Sequence, residues 1–237
     1  MANSGMGPSE WSLRSSIGIE IPLFPLNVVL FPGMGIPLRI FEPRYLAMIR
    51  AVMARDRLFG VAYIIEGEEV GGTAAVWSVG TIVRVEEMDE QPDGMLTLLA
   101  LGLERFRIVS RLVDDPYPRA IVERFEEKTQ PLTHADVLGE VKDLLQKYVG
   151  RLARRSGREW GEVALPDDPV VLGYIVGAVL PCSLVEKQRL LQAASVNARL
   201  AQELPMLRAA VAQDDDEDER DSNGPREFRP GRMPSAN

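Results

Sequence analysis

The stretch Ile21–Tyr45, IPLFPLNVVLFPGMGIPLRIFEPRY, sets five prolines among a dense run of Leu, Ile, Val and Phe. Proline fixes φ near about −65° and donates no backbone hydrogen bond, so it is confined to strand edges, bulges, turns and first helical turns. Pro22, Pro25, Pro32 and Pro37 therefore divide the run into short extended pieces. Pro43 opens a helix, because proline is favoured at the first helical position. Tyr45, Met48, Ile49 and Val52 then fall at i, i+3, i+4 and i+7, one apolar stripe on a helix over 43–54.

From Ile19 to Phe125 the rest of the pattern is mostly strand. Ile36–Phe41 is short and apolar, and Leu58–Ile65 is a continuous apolar run of buried-strand length. Glu66–Thr73, with three glycines and three glutamates, reads as a loop. Gln91-Pro92-Asp93-Gly94 is a turn in which Pro presets φ, Asp caps locally and Gly takes a positive φ. It closes a hairpin between Trp77–Met88 and Met95–Leu101. Arg105 and Arg107 alternate with Phe106 and Ile108, which predicts a half-solvated strand with the arginines on the wet face.

Beyond Gln130 the period becomes helical. Thr133 offers an N-cap with Asp136 three residues on, and Val137, Leu138, Val141, Leu144, Leu145, Tyr148 and Leu152 share one face. Asp168-Pro169 starts a second helix, apolar nearly all round, that Pro181 ends. Ser183 with Glu186 is a capping box for a third, and Ser195 caps a fourth in which Pro205 predicts a kink or split. Gly173-x-x-x-Gly177 predicts close approach of a neighbouring helix. The expected division is a flexible leader over 1–17, containing Trp11, a β-rich unit over 18–128, a helical unit over 129–212 and a disordered acidic tail over 213–237.

Formal net charge is −8, and half of it resides in 214–237, with eight acids and four arginines. A mildly acidic body argues against a phosphate-tracking groove. One cysteine, Cys182, allows no intrachain disulfide. With no apolar h-region at the start and no apolar run beyond 11 residues, the expected location is cytoplasmic.

The words PLFPLNVVLFPG (Pro22–Gly33), PLRIFEPRY (Pro37–Tyr45), VGTIVRVEEMDEQPDGMLTLLALGLERFRI (Val79–Ile108) and DPYPRAIVE (Asp115–Glu123) resemble the Lon protease amino-terminal, or substrate-binding, domain. The resemblance runs from about Ile19 to Val211. It implies an α+β fold, a β-rich PUA-like pseudo-barrel followed by a C-terminal helical bundle. It also implies a free-standing, non-catalytic member that binds unfolded or exposed polypeptide in protein quality control, with a protease or chaperone as partner and no cofactor. On the residues, the candidate contact surface is the Pro-Gly turn, where Phe31 and Met34 project beside Arg44 and Tyr45, because exposed Met and aromatic side chains make adaptable peptide-binding surfaces.

Catalysis fares badly on the same residues. The chain has no GxxxxGK[ST] string, its four lysines (128, 142, 147 and 187) do not follow glycine, and its single His134 and single Cys182 make neither a zinc site nor an obvious triad. Two rivals stand beside polypeptide recognition: an RNA or nucleotide-derivative binder using Arg105, Arg107 and Arg111, and a hydrolase with unplaced acids.

Overall fold

The computed structural model describes residues 18–68, 74–113, 116–128, 135–156 and 164–223. The leader with Trp11, the Thr133 cap and His134, most of the Glu66–Thr73 loop and the last fourteen residues lie outside them. In chain order the elements are β1 (Ile19–Leu26), β2 (Gly35–Ile40), α1 (Pro43–Met53), β3 (Leu58–Glu66), β4 (Ala75–Val76), β5 (Val79–Glu90), β6 (Leu96–Arg111) and β7 (Arg119–Arg124). Four helices follow: α2 (Ala135–Arg155), α3 (Pro169–Val179), α4 (Leu184–Leu191) and α5 (Val196–Asn223). The class is α+β.

The prolines of β1 sit where the strand changes partners. Ile19–Pro22 pairs antiparallel with β7, and Leu23–Leu26 pairs parallel with β3. Each half pairs mainly on one edge, so a missing N–H on the other edge costs no ladder bond. That exchange closes a ring of pairings, β1–β7–β6–β5–β3, back to β1. β2 lies outside the ring and, among the described residues, pairs only with β6. The predicted hairpin is in place: Gln91 N–H donates to the Met95 carbonyl at 2.8 Å, Asp93 accepts from Met95 N–H at 3.1 Å, and Gly94 has φ 82°.

Three apolar clusters result. One lies between α1 and the inner face of β2, β5 and β6, with Tyr45, Met48, Ile49, Val52, Leu38, Ile40, Leu96 and Leu98. A second, inside the ring, gathers Ile21, Leu23, Ile82, Phe106 and Val122. The largest joins α2–α5 to Val29, Phe31 and Val79 of the β-rich half. The helix starts follow the sequence: Asp168 accepts from Val170 and Val171 N–H, Ser183 and Glu186 form the reciprocal box, and Ser195 Oγ accepts from Ala198 N–H.

One expectation about α5 needs correction. The helix is not split at Pro205, and its backbone runs as one helix from Val196 to Asn223. Surrounding turns hold the helix across the one missing N–H when its apolar face is packed, as Leu200, Leu207, Ala210 and Val211 are. Among the described residues no helix is long and apolar enough to cross a membrane.

Candidate functional site

The Pro-Gly turn does not present its side chains as the sequence suggested. Phe31 is 0 % exposed. Its ring enters the helical cluster, 6.3 Å from the ring of Tyr174. A Cβ at Gly177 would lie 2.7 Å from that ring, so the glycine is what lets α3 close on Phe31. Met34 is half-buried, with its sulfur receiving the Phe31 N–H at 3.3 Å. Tyr45 is 3 % exposed and packs 4.3 Å from Phe24, ring centre to ring centre. Arg44 is held by Glu42 at 3.1 Å and lies 4.6 Å above the Tyr45 ring. Phe31 and Tyr45 are thus corrected from contact residues to core. The physical reason is what each ring faces: Phe31 points from the turn into the helical cluster, and Tyr45 lies on the apolar stripe of α1 that packs against the sheet.

What the same segment does expose lies on the other side of β2. Register places Pro37 beside Leu99 and Arg39 beside Thr97, and continues across β6 to Glu87 and Asp89 of β5. Paired residues of adjacent strands share a face. The alternate set, Leu38, Ile40, Leu96 and Leu98, is buried under α1. The outer face therefore carries Pro37, Leu99, Leu101 and Thr97 in its centre. Leu99 is 40 % exposed, and Phe41, one residue beyond β2, is 52 % exposed. A groove of about 210 Å³ runs from Pro37–Glu42 to Phe24, Leu26 and Tyr45, so Tyr45 contributes to its floor while Phe41 stands at its rim. The edge of β2 away from β6, unpaired among the described residues, borders it.

Arg105 is the second correction. It is 3 % exposed and does not belong to a wet basic face. Its Nη1 donates to the carbonyls of Leu191 and Ala193, both at 2.7 Å, and its Nη2 donates to Glu127 Oε2 at 2.6 Å. Arg199 from α5 donates to the same oxygen at 2.6 Å, and Tyr174 OH donates to it at 3.2 Å. This cluster pins the sheet to the helices. The strand does alternate, but the helical half covers the arginine face at Arg105. Arg107 stays half exposed, loosely paired with Glu123 at 3.9 Å, and Arg111, also exposed, reaches the Ala74 carbonyl at 2.6 Å. The three arginines do not assemble a phosphate-binding surface.

Beside the cluster sits a residue the sequence reading missed. Glu203 is fully buried against Gly173 and Gly177, and among the described residues its carboxylate has only a weak contact to the Gly177 backbone N–H and no well-formed hydrogen bond. Burial pushes its carboxyl up to about 8, partly opposed by the Arg199 guanidinium. Burial also lowers Arg105 from the ordinary arginine range and raises the Tyr174 phenol. The available signal was the spacing of Arg199 and Glu203, four apart and flanking the α5 stripe opposite a Gly-x-x-x-Gly helix. Cys182 is partly buried, and burial raises its thiol, which disfavours the nucleophilic thiolate. Among the described residues no group of three or more His, Cys, Asp or Glu is placed to hold a metal. The arrangement is suited to holding a ligand against an apolar surface.

Comparison with known proteins fits this geometry. A family model described as the ATP-dependent protease La (LON) substrate-binding domain matches residues 20–209. Lon protease 2 of Herpetosiphon aurantiacus is 30% identical over 193 residues, covering 79% of this chain and 23% of that protein. Lon protease of Escherichia coli is 29% identical over 198 residues, covering 81% of this chain and 25% of that protein. The chain thus spans about a quarter of the length of these relatives. Among solved structures, the Lon N-terminal domain protein from Xanthomonas campestris superposes with a TM-score of 0.62 at 29% identity, over 79% of this chain and 98% of that one. The N-terminal domain of the Mycobacterium avium complex Lon protease gives 0.63 at 19% identity, over 80% and 98%, and speaks to the fold alone.

Proposed function

The chain belongs to the LON substrate-binding domain family, and from that premise we propose that it recognises unfolded or exposed polypeptide segments without catalysing their cleavage. The role is an accessory one in cytoplasmic protein quality control, on a PUA-like pseudo-barrel; the closed ring of strand pairings supports that description. One observation carries the reading: the outer face of β2, β6 and β5 leaves Phe41 and Leu99 open to solvent beside a strand edge that is unpaired among the described residues. An exposed apolar face at a free edge is a surface to which extended chains add, taking backbone bonds from the edge and side-chain contacts from the face. Pro37 supports the same view from the other direction. It removes one donor from the edge, which blunts indiscriminate sheet growth while leaving its carbonyl available.

The expected affinity for an unfolded protein is micromolar, about −8 kcal/mol. Titrating a fluorescently labelled, reduced and alkylated protein without ATP measures it. Replacing Phe41 and Leu99 with Ser should weaken binding about tenfold or more, as loss of interface anchors does, and should leave the melting temperature in place. Absence of saturable binding by the unaltered protein overturns the proposal.

A further inference from the structure

We infer that the outer face of β2, β6 and β5 selects polypeptide segments whose apolar residues are flanked by lysine or arginine; this rests on the polypeptide reading above and specifies its substrate class. The face has two charged margins. Along β5, Glu87 lies beside Leu99 and Asp89 beside Thr97, both exposed and both without an ion pair or hydrogen bond among the described residues. Along β2 there is one cation, Arg39, beside Thr97. The other nearby charges are already neutralised. Arg84 donates twice to Glu86, at 2.9 and 2.7 Å, Arg50 meets Glu90 at 3.1 Å, and Arg44 meets Glu42 at 3.1 Å.

An occupant that covers Leu99 must also cover part of Glu87, because the two are cross-strand neighbours on one face. A purely apolar occupant would strip water from that carboxylate and return nothing, and an uncompensated buried charge is costly. A lysine or arginine at that position restores a partner in the same step. Glu87 and Asp89 are two residues apart on a strand, about 6.8 Å along its axis. An extended segment with cations at i and i+2 repeats that spacing. The net charge of −8 favours the encounter with a cationic segment as well.

The test uses three fluorescein-labelled twelve-residue peptides that share one central block of Leu and Phe residues and carry Lys, Gln or Glu at two flanking positions, i and i+2, on the same side of the extended chain as the apolar contacts. Anisotropy titration of the full chain at 50 mM salt should give about tenfold tighter binding of the Lys peptide than of the Gln peptide, and little binding of the Glu peptide. At 300 mM salt the preference should shrink to about threefold or less, as expected when exposed charges are screened. The Glu87→Gln/Asp89→Asn double variant should lose the preference while keeping the Gln-peptide affinity and the melting temperature. If the Gln peptide binds as tightly as the Lys peptide, or if the preference survives the double variant, the inference is overturned and the recognition reading stands. If the unfolded protein and all three peptides fail to bind, the recognition reading falls and takes this inference with it.

Discussion

β6 is one strand with two different surroundings. Over Leu96–Leu101 one face is sealed by α1 and the other is open, so Leu98 is buried while its neighbour Leu99 is not. Over Arg105–Phe106 both faces are covered: Phe106 points into the ring, and Arg105 points into the helices, where it is tied to Leu191, Ala193 and Glu127. The open end keeps apolar side chains in water and pairs its charges loosely. The closed end keeps charges out of water and satisfies most of them with short bonds. The same alternating strand pattern therefore supports the proposed binding face at one end and a structural clamp at the other, depending only on what the rest of the chain lays over it.

Two phenylalanines ten residues apart give the sharpest break of that comparison. Phe31 belongs to the covered region and Phe41 to the open one. Phe31→Ala should destabilise by about 4 kcal/mol, since truncating a fully buried Phe removes transfer energy and leaves a cavity. Phe41→Ala should stay within about 0.5 kcal/mol, as surface changes do. Urea denaturation of both variants measures the difference. Equal losses would mean that Phe41 is packed rather than presented, and the binding face would lose its anchor.

This pair also marks what could be read from the chain and what could not. The start of α1, its stripe from Tyr45 to Val52, the Gln91–Gly94 turn, the caps at Asp168, Ser183 and Ser195 and the Gly173/Gly177 approach all follow from local rules, because each depends on residues within a few positions of one another. Arg105 and Phe31 were misplaced because alternation and turn chemistry tell which residues share a side, and nothing local tells which side a distant helix will cover. α3, α4 and α5 begin 64 or more residues downstream of Arg105 (169 − 105). Glu203 escaped for the same reason: its significance arises only where α5 crosses α3. The proposed face and the turn first singled out belong to the same segment, and Tyr45 and Phe41 border the same groove.

The clamp itself provides the next test. Arg199→Ala should cost about 3 kcal/mol, because it removes one of two guanidinium partners of a largely buried carboxylate and leaves Glu127 with Arg105 and Tyr174. The exposed Arg50–Glu90 pair, examined by a double-mutant cycle in the same background, should show a coupling below about 1 kcal/mol that fades with salt. A clamp variant that loses no more than the surface pair would dissolve the distinction between the two ends of the molecule.

The most gradual effect, and the most specific to the closed end, is a pH dependence centred on Glu203. Its carboxyl is raised to about 8 in the folded chain because burial disfavours the charged form, with Arg199 only partly compensating and the Glu127 charge adding to the rise. A carboxyl in the unfolded chain titrates near about 4.3. The folded state therefore binds the proton more tightly, and its contribution to stability is fully present below the unfolded value and is lost as pH rises through about 8. Between those limits the slope is about 1.4 kcal/mol per pH unit for one proton. Glu203→Gln keeps the shape and removes the titration. The variant should match the unaltered protein near pH 4 and exceed it increasingly from pH 5 to pH 8, with binding of unfolded protein unchanged because the site lies on the opposite surroundings of β6. Parallel stability curves for the two proteins across that range would show that Glu203 keeps an ordinary carboxylate, already hydrated or paired at the seam, and the closed end would then be less dry than its buried arginines imply.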